Sequence, residues 1–549
     1  MQTSYRLLLI VAVALGACNS NPGKNAAAVD DSTALKAITE EGFTKHLQVL
    51  ASDSFEGRKP FTPGEDKTIQ YLQAQFKALG LQPGNGDSYV QEVPMVEITS
   101  KPTGALEFKG KGGKLSLAYL DDYVATTRRV QPQVQLNNSE LVFAGYGIVA
   151  PEYNWNDYAG LDVKGKTVVV MVNDPGFTDS TLFKGHTMTY YGRWTYKYEE
   201  AARQGAAGVI IIHDTAPASY PWAVVRSGWS GAKLYLQTED NGQSRAAMEG
   251  WITLDAAKKL FKLAGVSDTL LQSAQHPGFK PVPLPVTASV TINNQLKKST
   301  SHNVLAVWPG ATRPQEYIIY SAHWDHLGIG EAIKGDSIYN GAADNATGTV
   351  ALLEIAGAFT KLAQHPARSI LFIALTGEEQ GLLGSEYYAT HPVYAKDSTV
   401  ADINMDVLNT YGRTKDITIV GQGQSDLDDY AERAAAKQGR TVSPEDHPSA
   451  GHFFRSDHFN FAKVGIPALY AGSGTMSLTH DTAWAKMKTE EYGRDRYHSP
   501  FDQFDSTWEL DGMVEDAQLL FDIGHVLSNE ETFPKWKQGS EFKAAREKK

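Results

Sequence analysis

The sequence predicts an α/β protein: a mixed, mostly parallel central sheet flanked by helices, interrupted by a smaller β-rich insert. Three observations predict it. Between 302 and 530, continuous apolar runs (NVLAVWPG, EYIIYSAHWDH, SILFIALTGEE, DITIVG, IPALYAGSG) alternate with helical ones (TGTVALLEIAGAFTKLA, DLDDYAERAAAKQG), as strands buried on both faces do. Between 138 and 285, the short β-rich runs LVFAGYGIV, KTVVVMVND and GVIIIHD accompany one helical stretch, YKYEEAARQGAAG. The chain has 549 residues, 42% apolar and 21% charged, room for about three globular domains.

From the N-terminus, Arg6 precedes an apolar run from Leu7 to Leu15, too short to span a bilayer as a mature helix. The run ends Leu15-Gly16-Ala17-Cys18, which resembles the bacterial lipobox, whose cysteine is lipidated. Residues 1–17 are therefore expected to be a lipoprotein signal peptide and 18–33 a flexible tether. Cys18 would be the acylated residue, anchoring an exported bacterial lipoprotein to the periplasmic side of the outer membrane or the cell surface. Cys18 is also the only cysteine, so an internal disulfide, a thiolate metal site and a cysteine nucleophile are all excluded.

Residues 34–137 are assigned to the first part of the main domain. ALKAITEEGFTKHLQVLAS and DKTIQYLQAQFKALG read as amphipathic helices, the second stopped at Gly80. The insert spans 138–285. Its end is placed at the Pro-rich HPGFKPVPLPV, read as a joint back to a main domain over 286–535, with 536–549 as a charged tail. The net charge of −12 (51 basic against 63 acidic side chains) argues against a nucleic-acid partner.

In open α/β sheets the site lies at the carboxyl ends of the strands. The polar residues here sit at such ends. His323 closes EYIIYSAH, and Asp325, two residues on, shares its face in extended chain, where it could fix the imidazole tautomer. His326 reads as structural. Asp344 precedes a helix, where capping is the ordinary role, but the small residues around it allow the close approach an ion needs. Glu378 and Glu379 directly follow a buried strand. In extended backbone they would point opposite ways, one toward an ion and one toward its water. Asp406 ends another strand, and Arg455-Ser456-Asp457-His458 and Tyr497-His498 bring late groups on turns. His, Asp, Glu, Asp and His at successive ends of one sheet suit two zinc ions, the middle carboxylate bridging them. There is no Gly-x-Ser-x-Gly, no Walker loop and no His-Glu-x-x-His.

SAHWDHLGIG, GDSIYNGAADNATG, ALTGEEQGLLGS, INMD, SDHFNFAKVGIPA and YHSPFD, in this order, closely resemble the di-zinc (co-catalytic) aminopeptidase family, to which glutamate carboxypeptidase II and the transferrin receptor are related. The likeness covers about 302–530, and 47–95 resembles the start of the same domain. ELVFAGYGI and the strand at 165–170 make the insert resemble a protease-associated domain, expected to cover the cleft. The resemblance implies two zinc ions: one on His323, Asp344 and Asp406, the other on Glu379 and His498, with Asp344 shared. It implies Glu378 as general base and acid, Asp325 orienting His323, Tyr497 stabilising an oxyanion, Arg455 contacting substrate, and a cis Asp344–Asn345 peptide. Peptides would be the substrates and aminopeptidase action the reaction. A carboxypeptidase or dipeptidase on the same scaffold, or a mono-zinc glutaminyl cyclase, are the alternatives, and a metal-free binding lipoprotein is the rival from another class. Ala343 departs from the commoner Asp or Asn, beside the ligand rather than at it.

Overall fold

A computed structural model describes residues 32–481 and 483–547. The leader, the tether and Cys18 lie outside the described residues.

The strand Arg313–His323 sits near the middle of the main sheet, parallel to Arg368–Leu375 on one side and to Thr399–Asn404 on the other. Ala468–Ser473 runs parallel beyond Thr399–Asn404, then Asp416–Ile419 antiparallel to it, then Thr441–Ser443. On the far side of Arg368–Leu375 lies the end of Val282–Trp308, antiparallel. Alternate side chains of these strands face two separate cores. Ile318, Tyr320, Ile370 and Phe372 pack under the helices Glu40–Leu50, Pro63–Ala78, Thr347–Phe359 and Asp511–Asn529. Tyr317, Ile319, Leu371 and Ile373 pack on the other face with Tyr388, Phe461, Trp536 and Phe542. Burial on both faces is why these strands read as unbroken apolar runs.

The structure corrects four expectations. The helix read over 34–52 breaks: one turn at Ser32–Leu35 is followed by Glu40–Leu50, because Thr39 takes an extended conformation and its side chain accepts the Gly42 N–H at 3.0 Å. The Pro-rich segment is no joint. Val282–Trp308 is one 27-residue strand that starts in the insert and ends in the main sheet, pairing along the way with Gln133–Phe143 and Val90–Pro102. Pro285 is tolerated because the pairing register shifts between Leu284 and Thr287, where its missing N–H costs nothing. Residues 106–136 belong with the insert rather than with the main domain: Leu106, Phe108, Leu117, Tyr123 and Leu136 share one core with Leu141, Ile210 and Leu284. Residues 536–547 pack against the body, with Trp536 and Phe542 buried and Trp536 Nε1 donating to the Gly465 carbonyl at 2.9 Å.

The insert is a second, smaller doubly covered sheet. Gln133–Phe143, Thr167–Met171, Gly208–His213 and Met248–Thr253 run parallel, with Tyr123–Thr126 antiparallel at the edge. It packs against the main domain through ion pairs and a backbone hydrogen bond. Lys463 reaches Glu199 at 2.8 Å, Lys184 reaches Glu541 at 2.8 Å, and the Met188 N–H donates to the Pro448 carbonyl at 3.1 Å.

Candidate metal centre

Each strand end delivers one group. His323 is the last residue of its strand, and its carbonyl accepts the Thr349 hydroxyl at 2.8 Å. After Leu375 the chain turns at Gly377 (φ 66°), so Glu378 and Glu379 do not point opposite ways but both reach into one cleft. Asp406 follows Thr399–Asn404 by two residues. Its Oδ2 accepts the Ser456 hydroxyl at 2.7 Å and its carbonyl accepts the Tyr470 hydroxyl at 2.8 Å. Asp344 does not cap the helix Thr347–Phe359. Its neighbour Asn345 does, accepting the Gly348 N–H at 2.9 Å, which leaves the Asp344 carboxylate free for the cleft. The Asp344–Asn345 peptide is cis.

The five residues expected as ligands converge. Nε2 of His323 lies 3.2 Å from Asp406 Oδ1 and 3.4 Å from Asp344 Oδ1. Nε2 of His498 lies 3.3 Å from Asp344 Oδ2 and 3.1 Å from Glu379 Oε2. Asp344 thus divides its two oxygens between two donor sets. Donors held 2.0–2.1 Å from a tetrahedral zinc are about 3.3 Å apart, so both sets have the spacing of atoms around such an ion. Their chemistry, imidazole with carboxylate and no thiolate, fits zinc as well.

The electrostatics agree. Asp325, Asp344, Glu378, Glu379 and Asp406 crowd one cleft, and all but Asp406 and Glu378 are nearly inaccessible. Burial opposes the charge on His323, but Glu378, Asp406 and Asp344 around it hold its proton well above the ordinary range. Burial likewise opposes charge on His498, yet Asp344 and Glu379 hold it up at about 10. Protons there stand where cations would satisfy the same carboxylates. Burial, reinforced by Asp406 and Glu379, lifts Glu378 well above the usual carboxylate range despite His323.

The expected role of Asp325 is corrected in its detail. Nδ1 of His323 lies 3.1 Å from the backbone carbonyl of Asp325, whereas the Asp325 carboxylate is 3.8 Å away. That carboxylate accepts the Glu378 N–H at 3.1 Å instead. Tyr497 stacks on His498, ring centroids 3.9 Å apart, and is half exposed. Arg455 is exposed and donates to the Ala450 carbonyl at 2.8 Å. Asp344, Glu378, Asp406, Arg455, Tyr470 and Tyr497 all line one cavity of about 1090 Å³. None of the insert's described residues lines it.

Three residues were not assigned a role from sequence. Asp502, four residues after His498, accepts the N–H groups of Ala343 and Asp344 at 2.9 and 3.0 Å and so fixes the shared carboxylate's backbone. Arg58 is fully buried and donates to the carbonyls of Leu50, Trp324, Asn340 and Gly341, tying together the loops that carry the centre. Asp502 lies inside the motif YHSPFD and Arg58 within the stretch 47–95 that resembles the start of the domain, which was the available signal. His326 is the third. It is buried in the centre, with Nδ1 2.6 Å from Glu379 Oε1, and its place three residues after His323 at the same strand end was the clue.

Comparison with known proteins agrees in kind. Residues 303–521 match the sequence model of Peptidase family M28, and 131–248 that of the PA domain. Aminopeptidase NAALADL1 of Mus musculus is 29% identical over 258 residues, 42% of this chain and 31% of that protein. Leupeptin-inactivating enzyme 1 of Streptomyces exfoliatus is 26% identical over 208 residues, 37% of this chain and 43% of that protein. The chain thus spans less than half the length of either curated relative. Among solved structures, an aminopeptidase from Aneurinibacillus sp. strain AM-1 aligns with 90% of this chain and 95% of its own, at 20% identity and a TM-score of 0.45.

Proposed function

We propose that this chain, which carries a peptidase family M28 domain over 303–521 and a PA domain over 131–248, is a zinc-dependent aminopeptidase releasing the N-terminal residue of peptides. The observation that carries the reading is the division of Asp344 between two donor sets, Oδ1 toward His323 and Oδ2 toward His498. Such a carboxylate is what a pair of ions about 3.5–4 Å apart requires. The name of the mouse relative, an aminopeptidase, supports the exopeptidase direction.

His323, Asp344 and Asp406 would hold one ion, and Asp344, Glu379 and His498 the other. Zinc at these positions would supply Lewis acidity, polarising the scissile carbonyl and acidifying water. The chain's own groups do the rest. Glu378 reaches the cleft from the turn after Leu375, next to His323 (3.9 Å), where it takes a proton from the attacking water and returns it to the leaving amine. Its raised proton affinity suits a group that must both accept and give. Asp325, through the Glu378 N–H, sets the direction of that turn. The Tyr497 hydroxyl, on a ring stacked against His498, is the donor for the developing oxyanion. Arg455, at the cavity wall, meets the substrate's backbone or carboxylate.

The test is hydrolysis of aminoacyl-anilides against N-acetylated counterparts by the zinc-loaded protein. Turnover of the free-amine substrates alone is expected; equal turnover of both would reject the exopeptidase reading. Cys18, after Leu15-Gly16-Ala17, supports export and lipid anchoring on the periplasmic side of the outer membrane or at the cell surface. Cys18→Ser is expected to release the protein from the membrane fraction, and continued membrane association would refute the anchor.

A further inference from the structure

His326 is completely buried, yet neither ring nitrogen makes a well-aligned hydrogen bond. Nδ1 faces Glu379 Oε1 at 2.6 Å, and that oxygen likewise makes no well-aligned hydrogen bond. The ring stands edge-on to His498, centroids 5.8 Å apart. Glu379 is therefore held between two imidazoles: His326 from the buried side at Oε1, and His498 from the open side, 3.1 Å from Oε2. One donor atom each of His326, Asp344 and Glu379 lies within 4.8 Å of the others, so the three also form a compact donor set of their own. Space for the ring is made by Gly341, with φ 59°, where any Cβ would run into His326. The backbone N–H of His326 donates to the Arg58 carbonyl at 3.4 Å, so the same buried arginine residue steadies this turn.

We propose that His326 is a positioning residue of the metal centre, gripping Glu379 Oε1 so that Oε2 stays turned toward the second cation. His498, its side chain 37% exposed on a loop, can yield to solvent; His326 cannot. Retention of the ion on the Glu379 side then depends on a histidine that does not itself have to coordinate it. The inference rests on the two-ion reading above. An unpaired carboxylate oxygen in a buried site is costly, and loss of a partner that orients a ligand weakens metal binding by about 10- to 100-fold.

The experiment is zinc retention. Zinc-loaded protein is equilibrated with rising concentrations of a chelator and zinc per chain is counted, for the native protein, His326→Phe and His326→Asn. A parallel titration of the metal-depleted proteins with cobalt(II) follows visible absorption, which reports ligand geometry. The native protein should lose its two ions in two separate steps. His326→Phe keeps the ring's bulk but no nitrogen, and should shift only one of the two steps, by about 10- to 100-fold, with an altered cobalt spectrum. His326→Asn, whose amide can still donate to Oε1, should restore much of the loss. Retention in His326→Phe equal to the native protein, or loss of both ions together, would overturn the proposal. A native protein that never holds two ions would instead overturn the two-ion reading.

Discussion

Asp325 Oδ1 accepts the backbone N–H of Glu378 at 3.1 Å while standing 3.8 Å from Nδ1 of His323. The carboxylate therefore meets the Glu378 backbone more directly than the His323 ring. Asp325→Asn keeps an oxygen that can accept this N–H and should lower kcat less than tenfold. Asp325→Ala removes it and should lower kcat by about 10- to 100-fold, with zinc content held near the native value. Comparable losses of bound zinc in both variants would return Asp325 to the role of orienting His323.

Glu378→Gln preserves shape and removes the proton acceptor. General acid–base catalysis contributes about 10²- to 10⁴-fold, so kcat should fall by that range while zinc per chain is unchanged. Turnover measured on aminoacyl-anilides checks it, and near-native kcat would reject the assignment of the base.

Removing metal should cost stability as well as activity. The crowded carboxylates of the centre repel one another without cations, and ions that bind only the folded chain stabilise it by about 2.7 kcal/mol at a free concentration of 100 Kd. Thermal melting after chelation and dialysis should occur at lower temperature, and zinc should restore both the melting point and activity. An unchanged melting point would mean that no cation is bound there.

His458 offers a pH test on a buried residue outside the two donor sets. It is fully buried among Phe453 and Tyr470, and burial pushes its imidazole down to about 3. The unfolded chain takes up a proton near the ordinary value of about 6.5, and the folded chain refuses it. Stability from this residue is thus complete above pH 6.5 and is lost as pH falls toward 3, by at most about 1.4 kcal/mol per unit. Denaturant unfolding of His458→Phe between pH 4 and 7 should show a shallower decline than the native protein; an equal slope would contradict it.

The strands of the main sheet were legible because burial on both faces leaves an unbroken apolar signature, as in Ile318–Tyr320 and Ile370–Phe372. The residues that converge in the candidate centre were legible because strand ends deliver them. What was not legible depends on partners distant in sequence. Whether a 27-residue strand continues past Pro283 and Pro285 depends on its pairing with Gln133–Phe143. That residues 106–136 join the insert depends on packing against Leu141 and Leu284. His326 reads as an ordinary buried histidine until the turn at Gly377 brings Glu379 against it.

The central claim is that Asp344 joins two cations. Anomalous diffraction at the zinc absorption edge, from crystals of the zinc-loaded protein, tests it most directly. Two peaks about 3.5–4 Å apart, one beside His323 and Asp406 and one beside Glu379 and His498, are the predicted result. A single peak, or none touching Asp344, would contradict it.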